Sequence, residues 1–123
     1  MLVISRFDVP EADGAGFLER ARAALGAFAA RPGFVRGCVG RSADVPTAWA
    51  LTTEWDSVGS FRRALSDFDV KVHASTLLAE SSDEPGAFEV MGSWDGAVES
   101  VGRTDRAADA DVTRVGDRPA TPR

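Results

Sequence analysis

The one histidine of this sequence, His73, is the side chain with the widest chemical range. A neutral imidazole can coordinate iron, and it can act as a base near neutral pH. In the segment from 67 to 79, Val70, His73, Ala74 and Leu77 recur at helical spacing, which predicts that they share one helix face. A histidine on such a face can be a catalytic or metal-binding group or a hydrogen-bonded structural residue, and both interpretations stay open.

Ser5 and several large apolar side chains are the other candidates for a binding site. Ser5 could donate a hydrogen bond to a bound oxygen atom, and together with His73 it is predicted to be catalytic. Trp49 and Trp55 could stack on an aromatic substrate or anchor the core. The side chains predicted to bind the substrate are Phe7, Trp49, Trp55, Phe61 and Leu77.

The residue types that are missing restrict the chemistry further. The sequence has no Asn, Gln or Tyr, which excludes mechanisms that need a side-chain amide or a phenol. One His and one Cys exclude a multi-His zinc site and a Cys-rich cluster. Gly33, Gly37 and Gly40 lack the spacing and the following helix of a dinucleotide fingerprint. The residue types and their spacing therefore favour none of these metal or dinucleotide sites.

The composition is that of a small acidic protein. Its 123 residues are 44% apolar, which favours one domain with a single core. The 19 acidic residues exceed the 14 Lys and Arg residues, so the net charge is −5 and no basic face for a nucleic acid is visible. No apolar run approaches the roughly 20 residues that span a bilayer, and no signal-peptide core is visible. Cys38 has no partner for an internal disulfide and is expected to be small and buried, so we expect a cytoplasmic protein without nucleic-acid or membrane partners.

The elements that must position these residues begin with a strand and a long helix. Apolar and β-branched residues predict a strand over 2–9, followed by a helix over 11–30 that carries one apolar stripe. Pro32 and Gly33 end the helix, because Pro lacks a backbone donor and Gly admits a positive φ. The residues of the strand that share one face are Val3, Ser5, Phe7 and Val9.

The remaining strands and helices follow along the rest of the chain. They are strands over 34–41 and 48–55, a helix capped by Asp56 or Ser57, a helical segment over 67–79, and a strand over 87–91. The residues that share one face of the strand over 48–55 are Trp49, Leu51, Thr53 and Trp55. The order β-α-β-β-α-β predicts an α+β, ferredoxin-like fold with a four-stranded antiparallel sheet.

In this topology both helices cover the same face of the sheet. The first and third strands carry apolar residues on both faces, so the second face also needs a cover. The simplest cover is a second copy of the chain, related by a two-fold axis and packed sheet to sheet. We therefore expect a homodimer, with Ile4 on the face that turns away from the helices.

The last quarter of the chain differs in composition from the rest. After Trp94 there is no Leu, Ile, Phe or Met. Such a segment cannot bury enough apolar area to offset the entropy of ordering it. The sequence predicts a folded domain over 1–92 and a polar, disordered tail over 93–123.

Three short motifs carry a resemblance to a known family. They are Arg31-Pro32-Gly33-Phe34, Glu54-Trp55-Asp56-Ser57, and Phe61 shortly after the second motif. Together they resemble the antibiotic biosynthesis monooxygenase family of dimeric α/β barrels, over about residues 1–92. The family includes cofactor-independent oxygenases acting on aromatic, polyketide-like substrates, haem-degrading oxygenases, and members with no established substrate.

The resemblance implies site positions on three elements. Haem-degrading relatives have an Asn on the first strand, a Trp on the second helix, and an axial His about nine residues after that Trp. These positions fall near Ser5, near Ala64 and on His73, so the His alone is present. In cofactor-independent relatives, the resemblance implies a site that contains Asn, Trp and Tyr. Of these residue types, this sequence has only Trp.

The leading hypothesis is a monooxygenase that acts on a hydrophobic aromatic or polyketide-like substrate without flavin or metal. Molecular oxygen, the hydrophobic small molecule and a second copy of the chain are its predicted partners. One alternative is a haem-binding or haem-degrading protein with His73 as axial ligand. The other is a non-catalytic, dimeric ligand-binding module.

Overall fold

A computed structural model describes residues 1–84 and 86–102 of the chain. Its main sheet has four strands in the order β2-β3-β1-β4. The elements are β1 (Leu2–Asp8), α1 (Gly14–Ala29), β2 (Phe34–Arg41), β3 (Ala48–Trp55), α2 (Val58–Ala64), α3 (Phe68–Val70), α4 (Thr76–Leu78) and β4 (Ala87–Phe88). This is the predicted α+β, ferredoxin-like arrangement with a four-stranded antiparallel sheet.

The long helix α1 supplies one side of the core. It follows a short 3-10 turn, Glu11–Asp13, and its large buried side chains are Phe17 and Phe28. Ala21 and Ala24 are completely buried, so the predicted apolar stripe is confirmed at these positions. Leu18 departs from the stripe, since it is 38% exposed.

The two central strands pair so that alternate residues face α1. Phe7 lies opposite Trp49 in the antiparallel register, and Ser5 lies opposite Leu51. All four predicted inward residues of β3, from Trp49 to Trp55, are buried. The pattern of period two in the sequence therefore fixes which side of β3 meets the helices.

β2 lies at the edge of the sheet and contains a bulge. Phe34 pairs with Trp55 but Arg36 pairs with Glu54, so Val35 is an extra residue without a partner on β3. The bulge reverses the alternation along β2 and places Cys38 on the side away from the helices. Cys38 is exposed, with its sulfur 3.0 Å from Thr52 Oγ1, so the expectation of a buried Cys38 is wrong.

The turn before β2 lies next to the start of α2, since the Asp56 N–H donates to the Gly33 carbonyl at 2.8 Å. Gly33 has a φ of 88°, which is the left-handed region that favours glycine. Ser57 caps α2, since its Oγ accepts the Ser60 N–H at 3.1 Å. The Ser60 hydroxyl in turn donates to Asp56 Oδ1 at 2.6 Å. The motif that precedes the helix is therefore a cap, and of the two predicted cap residues, Asp56 and Ser57, it is Ser57 that caps the helix.

The second helical segment contains a wide turn. A π-helix over Lys71–Ser75 separates α3 from α4. Val70, Ala74 and Leu77 are buried on its inner side. His73 is exposed, which corrects the prediction that it shares their face. The π turn changes the residue spacing locally, so a regular helical period misplaces a side chain within it.

The chain divides into two compact units, residues 1–87 and the residues from Phe88 onward. In the second unit, β5 (Gly92–Asp95) and β6 (Val98–Val101) form an antiparallel hairpin. The sequence predicted no element after residue 92, so this hairpin is a departure from that expectation. Residues 103–123 of the predicted tail lie outside the described part of the chain, and the boundary between domain and tail stays a prediction.

Candidate functional site

Three aromatic rings pack together where β1 ends and α1 begins. The Phe17 ring centroid lies 4.9 Å from that of Phe7 and 5.1 Å from that of Trp49, with tilted planes. The guanidinium of Arg41, on the neighbouring strand β2, lies 5.7 Å from the centre of the Trp49 ring. We call Phe7, Phe17 and Trp49 the proximal aromatic cluster.

A second aromatic cluster lies at the opposite end of β3. Trp55 is its centre, with the Phe28, Phe34 and Phe61 rings at 5.6, 5.3 and 5.7 Å from it. Trp55 is 1% exposed and its Nε1–H donates to Thr53 Oγ1 at 2.9 Å. Its polar atom already has a partner and its ring is enclosed, so Trp55 acts in this structure as a core anchor.

The predicted substrate-binding residues do not lie together in the structure. Trp49 and Trp55 are six residues apart on one strand, which places them roughly 20 Å apart. Phe7 and Trp49 belong to the proximal cluster, and Trp55 and Phe61 to the other. Leu77 is 1% exposed in the core with Val70 and Ala74. The structure therefore does not bring these five residues into one pocket.

A cavity of about 380 Å³ lies beside the proximal cluster and is open to solvent. Its volume is within the range of roughly 300–1,000 Å³ that is usual for small-molecule sites. Phe17 lies in its wall, so the cavity is adjacent to the proximal aromatic cluster. The apolar part of the lining is Val9, Pro10, Ala12, Gly16 and Phe17.

The polar part of the lining is dominated by carboxylates. Asp8, Asp13 and Glu80 line the cavity together with Arg20. Arg20 forms an ion pair with Glu80 through both guanidinium nitrogens, and these hydrogen bonds raise the pKa of Arg20 above its ordinary value. The carboxylate of Glu80 thus balances the positive charge of Arg20. Within 1–84 and 86–102, neither Asp8 nor Asp13 has a hydrogen-bond or ion-pair partner for its side chain.

The two predicted catalytic residues lie apart from this lining. Ser5 faces the helix side of β1 with Val3 and Phe7, and it is half-buried. His73 is exposed on the π-helix, and neither residue is among those that line the cavity. Their catalytic roles stay predictions.

The cavity residues were missed by the sequence analysis for a structural reason. They come from the end of β1, the turn at 10–13, the first turns of α1, and Glu80 after α4. No short motif joins Glu80 to the others. One signal was available, since Asp8, Glu11 and Asp13 crowd acidic residues into the connection between a strand and a helix.

The described residues hold no obvious metal site and no membrane span. Within 1–84 and 86–102, no three His, Cys, Asp or Glu side chains are grouped as metal ligands. Over the same residues, no helix has the length and apolar character needed to cross a bilayer.

The described residues form an α+β domain in which helices cover one face of a ferredoxin-like sheet, with a cavity at the end of β1. The model of the antibiotic biosynthesis monooxygenase family matches residues 1–75. The chain belongs to this family, which confirms the resemblance carried by the Pro-Gly turn and the Trp-Asp-Ser cap.

The relatives agree with this assignment. Deoxynogalonate monooxygenase from Streptomyces nogalater is 38% identical over 61 residues, which are 50% of this chain and 52% of the relative. The match thus spans about half the length of that relative.

Solved structures show the same fold. SnoaB, a cofactor-independent oxygenase from Streptomyces nogalater, is 29% identical, with a TM-score of 0.51 over 66% of this chain and 82% of that one. A conserved protein from Methanosarcina mazei Go1 is 17% identical, with a TM-score of 0.57 over 70% of this chain and 84% of that one. At that identity the likeness concerns the fold alone.

Proposed function

We propose that the protein is a cofactor-independent monooxygenase that oxidises a hydrophobic aromatic substrate, and that it acts as a homodimer in the cytoplasm. The observation that carries the proposal is the cavity beside Phe7, Phe17 and Trp49 in a chain of this family. Val9, Pro10 and Phe17 give the cavity an apolar wall against which an aromatic ligand can pack. The likeness to a cofactor-independent oxygenase supports the absence of a cofactor.

The chemistry requires a substrate that can itself reduce oxygen. A methylene group between electron-rich rings fits, because loss of its two C–H bonds supplies the four electrons that molecular oxygen needs. One oxygen atom becomes the carbonyl of the ketone product, and the other takes up the two hydrogens and leaves as water. The protein has to bind the substrate away from bulk water and accept the first proton.

The proton acceptor must lie within reach of the substrate. The carboxylates of Asp8 and Asp13 line the cavity, whereas His73 lies outside the lining. Geometry therefore favours a cavity carboxylate as general base, and the predicted roles of His73 and Ser5 are tested beside it.

The test is oxygen uptake with an anthrone, a tricyclic aromatic ketone that has an oxidisable methylene group in its central ring. Loss of the general base is expected to lower the rate by roughly 10² to 10⁴. We expect this loss in Asp8→Asn or Asp13→Asn, with His73→Ala and Ser5→Ala close to the parent protein. If His73→Ala alone loses activity, the base is His73, as the sequence predicted. Absence of uptake by the parent protein with a series of such substrates would refute the oxygenase proposal.

Haem binding is the second candidate because His73 is exposed and its imidazole has no hydrogen-bond partner within 1–84 and 86–102. The cavity does not include His73, so the described residues do not form a haem site there. Titration with haem, followed by the Soret band, tests the candidate directly. A sharpened band that His73→Ala removes would favour haem, and an unchanged haem spectrum would leave the oxygenase or a non-catalytic ligand-binding protein.

A further inference from the structure

The segment that follows α4, residues 80–84, runs beside β1. It consists of serine and acidic residues only, so it has no apolar side chain to bury, and four of its five residues are exposed. Backbone hydrogen bonds join this part of the chain to β1. The Ser82 N–H donates to the Arg6 carbonyl at 2.9 Å, and the Ile4 N–H donates to the Gly86 carbonyl at 2.6 Å. We call residues 80–84 the strap.

Ion pairs hold both ends of the strap. Glu80 pairs with Arg20 of α1, and Glu84 pairs with Arg6 of β1 at 3.3 Å. The four side chains are half or more exposed, so each ion pair contributes little to stability and weakens as salt is added. A segment held by exposed polar contacts, with no buried apolar side chain, belongs to the least stable part of a domain.

Gly86 shows how closely the chain approaches β1 just after the strap. A Cβ built on Gly86 would lie 2.6 Å from the carbonyl oxygen of Ile4, which is a backbone atom of the central strand pair. A larger residue would therefore push the chain away from β1. The hydrogen bond from the Ile4 N–H to the Gly86 carbonyl depends on this close approach.

The two edges of β1 are held by different partners. Met1 and Trp55 exchange both of their backbone hydrogen bonds, and this pattern repeats at every second residue of an antiparallel pair. The Ser5 amide therefore bonds to β3, where Ser5 lies opposite Leu51. The amide of Ile4 points to the other edge. Loss of the contacts along the strap thus frees the Ile4 amide while the Ser5 amide stays paired.

We infer that the strap and Gly86 open together while the sheet and α1 stay folded, and that the two ion pairs set how often they open. Glu80 lines the cavity beside α1, so each opening removes one side of that cavity. The inference rests on the proposed function only in taking this cavity as the substrate site, which the opening makes accessible. It assigns a salt-sensitive entrance, a property that the oxygenase activity does not require.

Hydrogen exchange of the full chain, followed by NMR, tests the inference at single amides. We expect the Ile4 and Ser82 amides to exchange roughly tenfold or more faster than the Ser5 amide, after correction for intrinsic rates. Ile4 and Ser5 are neighbours on one strand, so the comparison separates the two edges of β1. Raising the salt concentration is expected to speed exchange at Ile4 and Ser82 and to leave Ser5 unchanged.

Variants of the strap test the role of the ion pairs. Glu80→Gln with Glu84→Gln removes both pairs and is expected to speed exchange of the Ile4 amide roughly twofold to tenfold in low salt. The double variant should also lose the salt dependence of that amide, because the screened charges are gone. Asp69→Asn removes an exposed carboxylate outside the strap and should change neither property.

A glycine variant tests the close approach to β1. Gly86→Ala is expected to speed exchange of the Ile4 amide roughly tenfold or more, because the added Cβ meets the Ile4 carbonyl. Gly26→Ala is the matched control, since a Cβ at Gly26 meets no atom within 4 Å. The Ser5 amide reports in both variants that the β1–β3 pairing is kept.

Equal protection of the Ile4 and Ser5 amides in the parent protein would overturn the inference, because the strap would then open only with the sheet. Exchange at Ile4 that responds neither to salt nor to the double variant would also overturn it. These readouts need no substrate. An opening strap in a protein that consumes no oxygen would refute the proposed function alone, and oxygen uptake by a protein whose strap stays closed would refute the inference alone.

Discussion

At the scale of single residues, Gly33 links the end of α1 to β2 and α2. Its φ is 88°, and a Cβ built there would overlap the Ser60 side chain and lie 2.6 Å from Asp56 Oδ1. The Pro-Gly turn and the Trp-Asp-Ser cap, which are separate in sequence, thus meet at one point. The sequence indicated a positive φ here but not the contact with Ser60, since that contact depends on how β3 returns to the turn.

Gly33→Ala is expected to destabilise the protein by about 3 kcal/mol or more, because it adds both backbone strain and overlap. Gly26→Ala is the matched control on open helix surface, where the gain in helix propensity is up to about 1 kcal/mol. Urea unfolding of both variants measures the difference. A Gly33→Ala protein as stable as the parent would show that the turn can relax away from Ser60.

At the scale of elements, the two hairpin strands were predicted to the residue, over 34–41 and 48–55. β3 could be recognised from the sequence because every second residue is apolar or buried against the core. The hairpin of β5 and β6 was missed because all its residues are exposed and leave no apolar alternation. One signal was present, since Gly96, with a φ of 62°, occupies the first loop position that a type II′ turn gives to glycine.

The candidate site was less predictable than the fold. Trp49 and Phe7 face the helices as their strand parity predicts, but neither lines the cavity, and their binding roles stay predictions. His73 was misplaced on the core side, because the π turn breaks the helical period. Glu80 was not foreseen, since its place beside Arg20 depends on the packing of α4 against α1.

The cap of α2 gives a test at this scale. Ser57→Ala removes the oxygen that accepts the Ser60 N–H, and is expected to cost about 1 kcal/mol of stability. Ser57→Asp keeps an acceptor at the cap and should recover most of that loss. Thermal unfolding of the two variants measures the comparison. If both lose stability equally, the contribution comes from the Ser57 hydroxyl donating to Ser60 Oγ instead.

At the scale of the whole molecule, the boundary of the folded domain can be tested by truncation. Residues 1–87 form one compact unit, and every residue of β5 and β6 is exposed. A two-stranded hairpin by itself is marginally stable in water. A chain that ends at residue 92 is therefore expected to melt within a few degrees of the full chain. Loss of cooperative unfolding in the shorter chain would place the domain boundary further along.

The other property of the whole molecule is its association, which the outward face of the sheet predicts. Ile4 and Thr52 lie opposite each other on that face and are half-buried, while Arg6 beside them is exposed. Such a mixed face, with Ile4 beside Thr52 near its centre, suits a two-fold contact between identical copies. Light scattering is expected to give about twice the chain mass of 13.0 kDa.

Ile4→Asp places a charge on the outward face and is expected to weaken the dimer at least tenfold, because an unpaired carboxylate would have to be buried on association. Ala23→Asp adds the same charge on the exposed side of α1 and should leave the mass unchanged. Circular dichroism checks that both variants keep the parent fold, so that a change in mass reports association alone. A parent protein that is monomeric at micromolar concentration would contradict the two-fold contact, and a dimer insensitive to Ile4→Asp would move it to a different surface.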